Sequence, residues 1–175
     1  MIAAEDAVGR VSQSPSDGQQ DSGTLKHGRK RAAAAREAQT APGAKTVYEY
    51  ATLRVVPSIE RGEAMNVGVV LYCQRRDFLG CRTRVDPDRL RALAADLDLE
   101  GVRHALHAVD VTCGGGAAGA PADTLAGTLA ASSLGERFRW LTAPRSTIVQ
   151  PGPVHPGLTD DPAAELGRLF DLLVG

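Results

Sequence analysis

The chain has 175 residues, a formal net charge of -1 and three cysteines, which suits one domain or one domain plus a tail. No lysine follows Lys45, so the body cannot hold a P-loop, a Schiff-base enzyme or a kinase, each of which needs an amine. It also lacks a G-x-S-x-G elbow, an H-E-x-x-H and a C-x-x-C.

Residues 1–45 read as a disordered or wrongly included N-terminal tail. "SQSPSDGQQDSGT" is polar and rich in Ser, Gln, Gly and Pro, too poor in apolar surface to offset the entropy of ordering. "LKHGRKRAAAAREAQ" adds a basic cluster and an alanine run that suits a transient helix. Three readings compete: a weakly sticky tail, a start codon assigned upstream of a true start near Lys45, and a nucleic-acid or membrane contact. Four clustered cations are few for phosphate binding, so nucleic acid is not the expected partner. No signal peptide and no stretch of membrane-spanning length is evident, and a soluble cytoplasmic protein is expected. Cys73, Cys81 and Cys113 lack metal-ligand spacing and read as reduced structural residues.

Residues 46–175 read as a single α+β domain. In "VYEYATLRVV", Val47, Ala51, Leu53 and Val55 alternate with Tyr48, Tyr50, Thr52 and Arg54, which argues for a strand ended by Pro57. "MNVGVVLYC" is apolar on both parities, as in a central strand covered on both sides. A turn at "QRRD" leads to a third strand, "FLGCRTRV", so an antiparallel meander is expected. Asp86-Pro87 starts a helix, with the Asp as N-cap and the Pro at the first helical position. "LEGVRHALHAV" and a weaker "ADTLAGTLAA" read as further helices, the latter after a glycine-rich loop. Ser133 and Glu136 form a capping box for another. "RSTIVQ" reads as a fourth strand and "PGPVHPG" as a rigid turn. Asp161-Pro162 opens the last helix, with Leu166, Leu169, Phe170, Leu173 and Val174 along one face. The fold class is therefore α+β: a small, mainly antiparallel sheet, a three-stranded meander plus a later strand, with helices packed on it.

Several constellations read as structural. His104 and His107 lie opposite the apolar stripe of their helix and face solvent. No activating base accompanies Cys113, and the glycines after it follow no strand and precede no Lys. Asp160 and Asp161 could pair on a metal, but helix capping already explains Asp161. No cofactor or metal is expected.

Two loops carry the candidate binding residues. In the first, Gly62 suits a positive-φ turn, Arg61 offers a fork for a carboxylate or phosphate, Glu63 a base, and Asn66 an amide. Its structural alternative is an ion pair from Glu63 to Arg54, Arg82 or Arg84, with Asn66 bonding backbone. The second loop holds Arg145, His155 and Asp160. His155 has a neutral-range side chain fixed between prolines, and with Glu63 it would make an acid/base pair only if folding joins the two.

"YATLRVVP", "ERGEAMNVGVVLYC", "FRWLTAPRSTIVQPGPVHPG" and "ELGRLFDLLV" resemble the bacterial family known as domain of unknown function 3037 over roughly residues 47 to 174. The resemblance implies no activity, substrate or catalytic residue. It implies a gene neighbourhood shared with a HipA-like serine/threonine kinase, and hence a pathway or physical partnership. The expected function is a non-enzymatic interaction or regulatory module partnering such a kinase. The alternatives are an enzyme on a phosphorylated or nucleotide-like ligand, using Arg61, Glu63, Asn66, Arg145 and His155 in one cleft, and a nucleic-acid contact through the tail.

Overall fold

The computed structural model describes residues 43–114, 128 and 131–175. The expected tail up to residue 42, the glycine-rich loop after Gly114 and most of the weak helix over 122–131 lie outside the described residues.

The meander forms as expected: β1 (Thr46–Val55), β2 (Met65–Cys73) and β3 (Phe78–Thr83) pair antiparallel in sequence order. One turn of 3-10 helix, Gln74–Arg76, makes the β2–β3 turn and closes on Asp77 at φ 49°. On the other side of β1 lie two short strands, β4 (Val149–Pro151) and β5 (His155–Thr159), both antiparallel to it. The expected rigid turn is thus partly a strand. Pro156 and Gly157 are tolerated there because β5 is paired on one side only among the described strands.

Four helices among the described residues enclose this sheet: α1 (Pro87–Leu93), α2 (Leu99–Gly114), α3 (Leu134–Thr142) and α4 (Pro162–Leu173). Their starts follow the local chemistry. Asp86 accepts from the N–H groups of Asp88 and Arg89, Asp161 from those of Ala163 and Ala164, and Ser133 and Glu136 close a capping box. On one face of the sheet, Ala51, Leu53, Val55, Val67, Val70 and Val149 pack against Leu90, Val102, Leu106, Phe138 and Leu141 of α1, α2 and α3. On the other, Tyr48, Val69, Leu71 and Cys73 pack against Leu166, Leu169, Phe170 and Val174, the last just beyond α4. Burial of each large side chain contributes roughly 1.5–3 kcal/mol, so α4 is held chiefly by its apolar stripe.

The two-sided burial of β2 is as expected, but its alternation is broken. Leu53 sits opposite Gly68 and Arg54 opposite Asn66, so Val67 is the extra residue of a β-bulge. The bulge moves Val67 to the face of Val70 and turns Asn66 towards α4. Gly68 is required there, because a Cβ would lie 2.8 Å from the Arg82 carbonyl oxygen. No helix among the described residues is long and apolar enough to cross a membrane.

Candidate functional site

The sequence-predicted residues occupy three separate places. Arg61, exposed, and Glu63, half-buried, pair with each other at 2.8 Å around Gly62 at φ 68°. Glu63 therefore pairs within its own loop rather than with Arg54, Arg82 or Arg84. Arg145 stacks 4.6 Å over the Trp140 ring and donates to the carbonyls of Trp140 and Ala143. It thereby caps α3 at its electronegative end. This loop and the Arg61 loop share one end of the sheet, where the Val56 N–H donates to the Ile148 carbonyl at 2.9 Å.

Asn66 has a structural partner: its amide donates to the Leu173 carbonyl at 3.1 Å, near the end of α4. Arg89 donates to Val174 at 3.1 Å and Arg84 to Gly175, so three side chains satisfy consecutive carbonyls at this helix end. His155 lies opposite Tyr50, five residues along β1 from Val55, the residue opposite Met65. At a strand rise of about 3.4 Å per residue, His155 and the Glu63 loop are roughly 17 Å apart along the strand. A shared substrate proton needs hydrogen-bond reach, which this separation does not provide.

The α4 side of the sheet carries a polar and aromatic ladder that α4 leaves partly open. Its rungs are Tyr48 opposite Gly157, Tyr50 opposite His155, Thr52 beside Gly152, and Arg54 between Gln150 and Asn66. The Tyr50 and His155 rings lie 5.4 Å apart and Tyr50 lies 6.1 Å from Tyr48. At the lowest rung, Tyr48 donates to Glu165 at 2.6 Å, and Arg168 grips the same carboxylate with two bonds. Burial and the Glu165 contact push the Tyr48 phenol up to about 12, while Arg168 holds Glu165 below the usual carboxylate range. The alternation of Tyr48, Tyr50, Thr52 and Arg54 was the signal for this ladder. Its outer rail was invisible while β5 read as a turn.

The opposite face of β1 carries a cleft of about 590 Å³ lined by Val47, Glu49, Tyr72, Arg75, Gly135 and Arg139, among others. Arg139 binds Glu49 through two bonds, at 2.8 and 3.1 Å, which keeps the guanidinium charged. Tyr72, one of the lining residues, stacks on Phe138 at 5.4 Å. Beside the cleft, Val47 and Leu158 face each other across β1 and β5 with 58% and 62% of their surface exposed. The sequence placed Val47 on the face of Ala51 and Leu53, but α3 stops short of covering it.

His104 and His107 are exposed on α2. A hydrogen bond with Cys81, then burial, pushes the Cys113 thiol far up, so it is held protonated and a poor nucleophile. Among the described residues no three of His, Cys, Asp or Glu gather as a metal site would require.

Residues 50–174 match the family described as "Protein of unknown function (DUF3037)". No curated protein and no solved structure matches the chain.

Proposed function

We propose that this chain, which belongs to the DUF3037 family, is a protein-interaction module that receives an extended segment of its partner along the edge of β5. The observation that carries this reading is the open edge itself. β5 pairs with β1 on one side and with no described strand on the other, and its Leu158 stands exposed across from Val47, beside the Tyr72 cleft. On this edge Leu158 offers an N–H and a C=O, and Pro156 a C=O, to an incoming strand. Alternate side chains of that strand then find the apolar pair and the cleft, which supply specificity. The partner we assign is a HipA-like serine/threonine kinase, on the gene neighbourhood that the family resemblance implies.

Co-purification of the full chain with such a kinase from the same organism tests the reading. Wild type is expected to hold the kinase at micromolar concentrations. Leu158→Arg is expected to release it without a change in melting temperature, because Leu158 packs against little in the free protein. Equal retention by both proteins, or by neither, contradicts the assignment.

A further inference from the structure

Arg54 stands apart from the partner-binding edge, and its guanidinium makes no hydrogen bond or ion pair among the described residues. Its Nε is buried and has no acceptor. The four ion pairs among the described residues leave it out. Arg76 and Arg137 also have an orphan Nε, but each anchors its guanidinium elsewhere: Arg76 on the Ala44 carbonyl at 3.0 Å, Arg137 on those of Thr112 and Cys113 at 3.3 and 3.0 Å. Arg54 has no such anchor among the described residues. A half-buried cation without an acceptor is unfavourable, and folding alone would be served better by an apolar side chain of similar volume.

We propose that Arg54 binds an oxyanion, a phosphate or carboxylate group, on the open face of the sheet. The surroundings fit this chemistry. Gln150 on β4 is opposite Arg54, and Thr52 is the next residue along the same face. They bring an amide and a hydroxyl to the side of a planar guanidinium, the group best suited to a forked oxyanion contact. No carboxylate occupies this rung, whose members are Gln150, Arg54 and Asn66, and Glu165 further along the face is engaged by Tyr48 and Arg168. Gly152 lets the Thr52 hydroxyl sit at this rung: a Cβ there would lie 2.5 Å from that hydroxyl and 3.6 Å from Arg54 Nε.

The experiment is a nuclear magnetic resonance titration of the full chain with inorganic phosphate and, separately, with acetate. Either anion should move the Arg54 Nε–H resonance saturably, together with the amides of Thr52 and Gly152. A stronger response to phosphate assigns a phosphate ligand, and a stronger response to acetate a carboxylate. Arg54→Gln should weaken binding roughly ten- to a hundredfold, as expected for loss of a charge-assisted contact, and keep the wild-type melting temperature. Arg103→Gln, on the outer surface of α2, should titrate as wild type. No saturable movement at millimolar anion, or equal binding by Arg54→Gln, overturns the proposal. Loss of the fold in both Arg54→Gln and Arg54→Lys overturns it as well, because Arg54 would then be a structural residue.

Discussion

Gly157→Ala should be among the most damaging single-atom additions on this sheet. A Cβ at Gly157 would lie 2.3 Å from Cζ of Tyr48 and 2.4 Å from its hydroxyl oxygen, well inside contact distance. The ring cannot simply step aside. Tyr48 is 5% exposed, packs in the α4 core, and is tied to Glu165 at 2.6 Å. Forcing it away adds overpacking of about 1–3 kcal/mol and the loss of a hydrogen bond to a charged group, about 1.5–3 kcal/mol. The stiffer unfolded chain returns roughly 0.4–1 kcal/mol, leaving a net loss of about 2–5 kcal/mol. Thermal unfolding should show a melting temperature lower by on the order of 10 °C. In a Tyr48→Leu background the same glycine substitution should cost less than about 1 kcal/mol, because the ring it strikes is gone. A loss below about 0.5 kcal/mol in the wild-type background would refute the reasoning, since ordinary surface changes fall in that range.

Three further outcomes follow from the same contacts. The Tyr48 phenol is raised to about 12 against an ordinary value of 10.0, so the folded state favours the protonated ring. Its contribution is therefore complete below pH 10 and is lost as the pH rises from there through 12; stability measured over that window should fall, and Tyr48→Phe should flatten the fall. Phe170→Ala, which empties the α4 core beneath Arg82 and Arg84, should cost about 3–5 kcal/mol by urea denaturation. The double change Arg61→Ala with Glu63→Ala should cost no more than about 1 kcal/mol, because the pair lies at the surface; a loss above 2 kcal/mol on the same assay would make that loop part of the scaffold.

What the sequence disclosed depended on how local each cause is. Asp86-Pro87, Asp161-Pro162 and Ser133 with Glu136 set their helix starts through bonds spanning two or three residues, so their spacing alone revealed them. The α4 stripe was legible for the same reason. β5 was not, because His155-Pro156-Gly157 carries turn residues and becomes a strand only by pairing with β1 across a separation of about a hundred residues. The Val67 bulge was hidden too, since it depends on the register against Leu53 and Arg54. It also sets the place of Asn66, a candidate binding amide whose side chain donates to the Leu173 carbonyl near the end of α4. Arg54 was visible as an outward-facing strand residue, but its lack of an acceptor is a property of neighbours brought in by three strands.

The central claim, that the β5 edge receives a partner's strand, is tested most directly by backbone hydrogen exchange of the full chain with and without the HipA-like kinase. The central claim predicts slowed exchange of the Leu158 amide in the complex, the one N–H of residues 155–159 that points away from β1 since Pro156 has none, with α4 unchanged. A complex that forms while exchange along β5 stays as in the free protein would contradict it.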